Sequence, residues 1–100
     1  MSYGLPHQTL NDILGVFAQY PNVEQATLYG SRAKGNYRAG SDIDITLKGE
    51  RLDMSSLLEI MEQLELLDLP NEIDLSLYTQ IENTSLIEHI DRAGKVVFQR

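Results

Sequence analysis

The chain lacks cysteine, has few basic residues and contains no long apolar run, and each of these absences narrows what the protein can be. Without cysteine there is no disulfide framework, and without an apolar run of roughly 20 residues there is no membrane-spanning helix. Eight Lys and Arg residues against 15 Asp and Glu residues give a net charge of −7. This balance argues against a broad nucleic-acid-binding surface, which needs clustered cations. Because residues 1–7 also lack the pattern of a secretory signal, we expect a cytoplasmic protein with no membrane contact.

What is present is the composition of an ordinary globular domain. Apolar residues make up 42% and charged residues 23% of the chain, which argues against disorder. No repeat and no shift in composition divides the sequence. Its 100 residues are also within the size of one compact unit. We therefore predict a single domain that spans residues 1–100.

Hydrophobic spacing predicts alternating helices and strands. The predicted elements are a helix over 7–20, a strand over 23–29, a short helix after Ser31, a strand over 42–47, a helix from Asp53 or Ser55 with a Ser56–Glu59 capping box, a strand over 71–78, a helix from Asn83 or Ser85 to Gly94, and a strand over 96–98. This order favours an α/β or α+β fold. We expect a small mixed sheet with helices mainly on one face and the other face open.

Acidic residues alternate with apolar ones in two of the predicted strands. Asp42 and Asp44 share one face of the strand over 42–47, and Asp74 lies on the polar face of the strand over 71–78. If these strands pair, three carboxylates crowd together and should raise one another's pKa unless a cation neutralises them. Mg²⁺ is the natural candidate because it prefers oxygen ligands, of which one or two are carboxylates.

A Gly-Ser turn follows the strand over 23–29. Gly30 permits a tight bend and a close approach of the backbone to a ligand. Ser31 is positioned to cap the short helix that follows, whose first amides would face an anion. Arg32, Lys34 and Arg38 place three of the eight basic residues in this one segment. Together these features indicate a phosphate site.

Two better-known motifs do not fit this region. Gly30 and Gly35 have the glycine spacing of a P-loop, but Asn36 and Tyr37 stand where that motif needs Lys and then Ser or Thr. The segment from Asp42 also begins like an EF-hand loop. Leu47 occupies the position that requires Gly in such a loop, so a calcium loop is excluded.

Other polar side chains are interpreted as structural. His7 and His89 have no second ligand at a useful spacing, and His89 is interpreted as part of an ordinary helix surface. Glu72 is assigned to solvent at a strand edge. For Tyr29 and Tyr37 two interpretations stay open, because either ring could stack on a base or could pack inside the protein.

The order of these motifs resembles a known family. Gly30-Ser31, ten further residues, Asp42-x-Asp44 and a third acid on a later strand resemble the signature of the DNA polymerase beta-type nucleotidyltransferase superfamily. Within it the chain most resembles the minimal nucleotidyltransferase (MNT) proteins, through the segments at 30–35, 40–45 and 73–75. The resemblance spans residues 23–98 and implies the nucleotidyltransferase fold, with the acidic active site on the face away from the helices.

The resemblance also implies an activity and a set of site residues. Members of the superfamily bind a nucleoside triphosphate with two divalent metals and transfer the nucleotidyl group to an acceptor, with release of pyrophosphate. By position, the catalytic and metal-binding residues are Asp42, Asp44 and Asp74, and the phosphate-binding residues are Gly30, Ser31 and Arg32. Asp74 would also help to activate the acceptor hydroxyl. The implied cofactor is a pair of Mg²⁺ ions, with Mn²⁺ as an alternative.

The resemblance also implies a partner, because MNT proteins commonly pair with a helical HEPN-domain protein. The size of the chain is consistent with this, since 100 residues leave little room to enclose a second substrate. In some pairs the MNT protein is an antitoxin that transfers AMP from ATP to a tyrosine of a HEPN toxin. In others it is the catalytic subunit for a small molecule presented by a substrate-binding subunit. A third possibility is a non-catalytic subunit that only holds its partner. Three acids kept on one surface favour an Mg-dependent enzyme.

Overall fold

The computed structural model describes residues 2–100 and contains four helices and one four-stranded sheet. The elements are α1 (His7–Ala18), β1 (Gln25–Tyr29), α2 (Ser31–Lys34), β2 (Ile43–Lys48), α3 (Met54–Glu65), β3 (Ile73–Leu77), a 3-10 turn (Tyr78–Gln80), α4 (Thr84–Ala93) and β4 (Lys95–Gln99). The predicted order of helices and strands is confirmed. The 3-10 turn was not predicted, and it replaces the end of the strand that was expected to reach residue 78.

Side-chain caps fix the starts of the two long helices in the second half of the chain. The Asp53 carboxylate accepts a hydrogen bond from the Ser56 amide at 2.8 Å, so Asp53 caps α3 and the predicted Ser56–Glu59 capping box is wrong. Asn83 caps α4 by accepting from the amides of Ser85 and Leu86. Each such cap satisfies amides that the first helical turn leaves without a partner.

The strands are arranged in the order β3-β2-β1-β4. β1 pairs antiparallel with both β2 and β4, whereas β2 pairs parallel with β3. The sheet is therefore mixed, as predicted. The parallel pair is joined by α3, which supplies the helical crossover that parallel neighbours require.

One face of the sheet carries the hydrophobic core. Ile45 of β2 is fully buried there, together with Ile13 and Phe17 of α1 and Ile60 of α3. Burying an aliphatic side chain of this size contributes about 1.5–3 kcal/mol, so the buried residues of this face contribute strongly to the stability of the fold. Helices α1 and α3 both pack on it, as expected.

The opposite face, which carries the acids, is less open than the sequence predicted. Helix α4 packs over β1 on this face. Gly94 lies against the methyl group of Thr27, and the ring of His89 meets the ring of Tyr29 edge to face, with centroids 6.2 Å apart. The amphipathic pattern of α4 gave no indication of which face of the sheet it would cover.

None of the helices within residues 2–100 combines the length and apolar character needed to cross a bilayer. The longest, α1 and α3, have 12 residues each. A membrane-spanning helix needs about 20.

Candidate active site

Three side chains form a row across the acidic face of the sheet. In the antiparallel pair Tyr29 is opposite Asp44, and in the parallel pair Asp44 is opposite Asp74. Neighbouring strands lie about 4.8 Å apart, so the two carboxylates are side by side. The sequence prediction that pairing of these strands would bring Asp74 beside the other acids is confirmed for Asp44. A second row behind it consists of Thr27, Thr46 and Ser76.

The electrostatics of the row agree with this crowding. Burial raises the pKa of the Asp44 carboxyl, and the negative charges of Asp74 and Asp42 raise it further, while a positive charge on His89 would act in the opposite direction. Burial also raises the pKa of the Tyr29 hydroxyl; its hydrogen bond with Ser76 opposes this shift, and the charges of Asp74 and Asp44 add to it. Such an arrangement favours a bound cation, which would relieve the repulsion among the acids.

Asp42 lies just outside β2, on a loop that several hydrogen bonds hold in place. The carbonyl oxygen of Ser41 accepts from Arg32 Nε at 3.2 Å, from Arg32 Nη2 at 2.9 Å and from Asn71 Nδ2 at 3.2 Å. The third nitrogen of the guanidinium, Nη1, donates to the carbonyl of Tyr3 at 2.9 Å. The residue before Asp42 is thus held by both a buried arginine and the segment that leads into β3.

These contacts give Arg32 a different environment from the predicted one. Its side chain is only 2% exposed and its guanidinium donates to two main-chain carbonyls, with the ring of Tyr37 5.4 Å away. The prediction that Arg32 contacts phosphate therefore gains no support from its surroundings. The other two cations of the segment, Lys34 and Arg38, are exposed.

The Gly-Ser turn lies directly beside the acids. Gly30 has a φ of +77° and a ψ of −155°, a backbone conformation available essentially only to glycine. A Cβ atom added at Gly30 would lie 2.5 Å from Asp44 Oδ2, so this position also has no room for a side chain. Gly30 itself, rather than Ser31, is the residue that precedes α2, and Ser31 is the first helical residue. The predicted Ser31 cap is therefore wrong.

A residue that sequence reasoning assigned to an ordinary helix surface also reaches this turn. The amide of Gly30 donates a hydrogen bond to Nε2 of His89 at 3.0 Å. A signal for it was present, because Leu86, His89, Ile90 and Ala93 follow the spacing of an inward helical stripe, and all four are at least partly buried. The prediction that His89 lies on an ordinary helix surface is wrong.

Within residues 2–100, no group of three or more His, Cys, Asp or Glu side chains lies close enough together to hold a metal ion without further ligands. The carboxylates of Asp44 and Asp74 are nevertheless neighbours on adjacent strands, and Asp42 is close enough to act on Asp44 electrostatically. Mg²⁺ is usually held by one or two carboxylates, with water and substrate phosphates completing its shell. The donor set therefore fits Mg²⁺ that is bound together with a phosphorylated substrate.

Comparisons with solved structures find the same fold. A chain from a crystal structure of a toxin-antitoxin with AMP-PNP superposes with a TM-score of 0.72 at 26% identity, over 91% of this chain and 73% of that one. A chain from the toxin-antitoxin MntA-HepT gives 0.68 at 22% identity, over 95% and 74%. A chain from the complex of a tri-AMPylated Shewanella oneidensis HEPN toxin with its MNT antitoxin gives 0.67 at 23% identity, over 93% and 71%.

A comparison with curated proteins found no match. The sequence profile described as polymerase beta, nucleotidyltransferase, in contrast, matches residues 11–100, which include every helix and strand from β1 to β4 and the whole candidate site. The match agrees with the geometry of the candidate site, in which the Gly-Ser turn lies beside two paired carboxylates. The chain belongs to the polymerase beta nucleotidyltransferase family.

Proposed function

We propose that this protein transfers AMP from ATP, with Mg²⁺ and with release of pyrophosphate, to a hydroxyl group on a HEPN-type partner protein, and thereby acts as an antitoxin. One observation carries the proposal. Asp44 and Asp74 are opposite each other on parallel strands while the Gly30 turn lies against the Asp44 carboxylate, so the proposed cation and phosphate sites would lie next to each other.

The acids would hold the divalent ions. Asp42 and Asp44 would ligate both metals, and Asp74 would complete the site nearer the acceptor. Bound there, two divalent ions would neutralise charge on the phosphates and stabilise the attacking and leaving oxygens of an in-line displacement. Mn²⁺ also prefers oxygen ligands and is the natural substitute.

The chain's own residues would bind and orient the substrates. Ser31 would bind the β and γ phosphates, Gly30 would let the backbone come close to them because it has no side chain, and exposed Lys34 and Arg38 supply positive charge nearby. Asp74 is exposed at the edge of the row, where a hydroxyl of a second protein can approach it and give up its proton. Such positioning supplies a large part of catalysis in phosphoryl-type transfers.

The choice of AMP and of a HEPN partner is supported by the structural neighbours. One of them is described as a toxin-antitoxin with AMP-PNP, an analogue of ATP. Another is described as a tri-AMPylated HEPN toxin in complex with an MNT antitoxin. The alternatives are a catalytic subunit for a small molecule and a subunit that only holds its partner.

The proposal is tested by incubating the protein with ATP labelled at the α phosphate, Mg²⁺ and a HEPN-type partner protein. We expect label to move to the partner protein. Asp44→Asn should reduce the rate about a thousandfold or more, because a metal ligand supports several kcal/mol of transition-state stabilisation. The matched control is Glu88→Gln, which neutralises an exposed carboxylate on α4 and should leave the rate unchanged.

Three results would redirect the proposal. Label that stays in ATP while the two proteins associate tightly points to a holding subunit. Label that moves to a small molecule only when the partner is present points to the small-molecule alternative. Equal rates for Asp44→Asn and the unmodified protein would show that Asp44 is not a metal ligand needed for transfer, and the proposed metal site would be wrong.

A further inference from the structure

His89 joins α4 to the turn between β1 and α2. Its Nε2 accepts the hydrogen bond of the Gly30 amide at 3.0 Å, a contact between residues 59 positions apart in the sequence. Since Nε2 is the acceptor, the neutral imidazole carries its proton on Nδ1. The ring is further oriented by Tyr29, whose ring it meets at an interplanar angle of 74°.

The contact acts on a backbone conformation that needs support. Glycine reaches this region without steric strain, but it also has more backbone freedom than any other residue, so contacts from the surrounding structure are needed to select this one conformation. The carbonyl of Gly30 accepts from the amide of Lys34 at 3.1 Å, within α2. The amide is held by His89, so each of the two polar main-chain groups of Gly30 has a partner on a different element.

Helix α4 offers a firm base for this contact. Asn83 caps its start, and Ile90, the residue after His89, is only 3% exposed. The hydroxyl of Tyr78 donates to Asp91 on the outer side of the same helix at 2.7 Å. The imidazole is therefore presented from a rigid element rather than from a mobile loop.

We propose that His89 is a positioning residue of the nucleotide site. Its Nε2 holds the Gly30 amide, and through it orients Ser31, so that the turn is shaped before the β and γ phosphates arrive. His89 itself does not touch the phosphates. This inference rests on the proposed nucleotide-binding function.

Preorganisation of this kind acts on binding, because a turn that is already shaped does not lose conformational freedom when the ligand enters. Removing the acceptor should therefore weaken nucleotide affinity without unfolding the domain. A side chain that restores an acceptor at the same reach should restore the affinity. Glutamine has this property, since its Oε1 atom can replace Nε2.

The test measures the binding of Mg²⁺-ATP by calorimetry to the full chain and three variants. His89→Ala should bind about 3- to 10-fold more weakly, the range for loss of one neutral hydrogen bond. His89→Gln should recover most of the affinity. His7→Ala makes the same substitution at the other histidine, which is exposed at the start of α1, and should bind like the unmodified protein.

A second measurement does not need the nucleotide. In ¹⁵N-correlated NMR spectra the Gly30 amide should shift and exchange faster with solvent in His89→Ala, but not in His7→Ala. If the unmodified protein binds no Mg²⁺-ATP, the proposed function fails, whereas the contact between His89 and Gly30 is still judged by this spectrum. An unchanged Gly30 amide would overturn the inference.

The variants also separate positioning from simple packing. Affinity equal to that of the unmodified protein in His89→Ala would overturn the inference. So would a folded His89→Gln variant that binds as weakly as His89→Ala, because the acceptor would then not matter. If His89→Ala fails to fold, His89→Gln decides alone: near-normal affinity supports the positioning role, and weak binding refutes it.

Discussion

The two faces of the sheet are built on opposite principles. On the core face, Ile45 and Leu28 are almost fully buried between β-strands and two helices. On the acidic face, Asp44 and Asp74 lie side by side although their charges repel, and α4 covers part of this surface. The first arrangement minimises free energy. The second arrangement raises the free energy of the folded state when no ligand is bound, which is typical of a functional site.

The rows of the acidic face show how this cost is limited. Behind the acids, the Ser76 hydroxyl donates to Thr46 Oγ1 at 3.0 Å, and the Thr46 hydroxyl makes a long contact of 3.4 Å to the Ser76 carbonyl. Thr46 is fully buried, so its polar atom needs such partners. The charged row is thus supported by a neutral hydrogen-bonded row, and the core lies beneath both.

The largest expected difference between the faces comes from deleting one side chain on each. Ile45→Ala should lower the free energy of unfolding by about 2–5 kcal/mol, because it opens a cavity in the core. Ser76→Ala, on the acidic face, should lower it by only about 1 kcal/mol, the value of a single hydrogen bond. Urea denaturation of both variants measures the two values. Similar losses would mean that the faces do not differ in this way.

A smaller difference should separate two glycines near the site. Gly30 and Gly35 both have positive φ, but a Cβ at Gly35 would meet nothing within 4 Å, whereas one at Gly30 would strike the Asp44 carboxylate. Gly35→Ala should cost about 1–2 kcal/mol from backbone strain alone. Gly30→Ala should cost more and should also abolish Mg²⁺-ATP binding, as calorimetry will show. If both variants lose the same stability and keep binding, the turn does not depend on Asp44.

The smallest expected effect is on stability against pH. The folded-state pKa of Asp44 is raised, so its charged form destabilises the protein at neutral pH, and this penalty disappears as the pH falls through the folded pKa towards the ordinary value of 3.8. Asp44→Asn should therefore melt slightly higher than the unmodified protein at pH 7 with a chelator present. That advantage should shrink on acidification. Glu88→Gln serves as the exposed control, and a lower melting temperature for Asp44→Asn would indicate a structural role instead.

Much of the fold followed from local pattern. The alternation of Asp44 with Ile43 and Ile45 predicted both the strand and its two unlike faces, and the same alternation around Asp74 predicted its partner. Side chains in a strand repeat every two residues, so one correct pairing places all of them. The positions of the acids were therefore accessible without coordinates.

The parts that sequence did not predict depend on contacts between distant segments. Arg32 follows the Gly-Ser turn, and a basic residue at this place in the sequence suggests phosphate binding. In the structure its side chain is instead buried against the main chain of Tyr3 and Ser41, which come from two other segments. The role of His89 depended on which face of the sheet α4 covers. Local periodicity identifies the inward side of a helix but does not say what lies beneath it.

The guanidinium of Arg32 ties the main chain at Tyr3 to the main chain at Ser41, immediately before Asp42. A bulky attachment on the segment ahead of α1 should therefore disturb the main chain one residue from Asp42, a carboxylate of the candidate site. A label or an immobilising anchor is therefore better placed at the exposed end of α3 than on that segment.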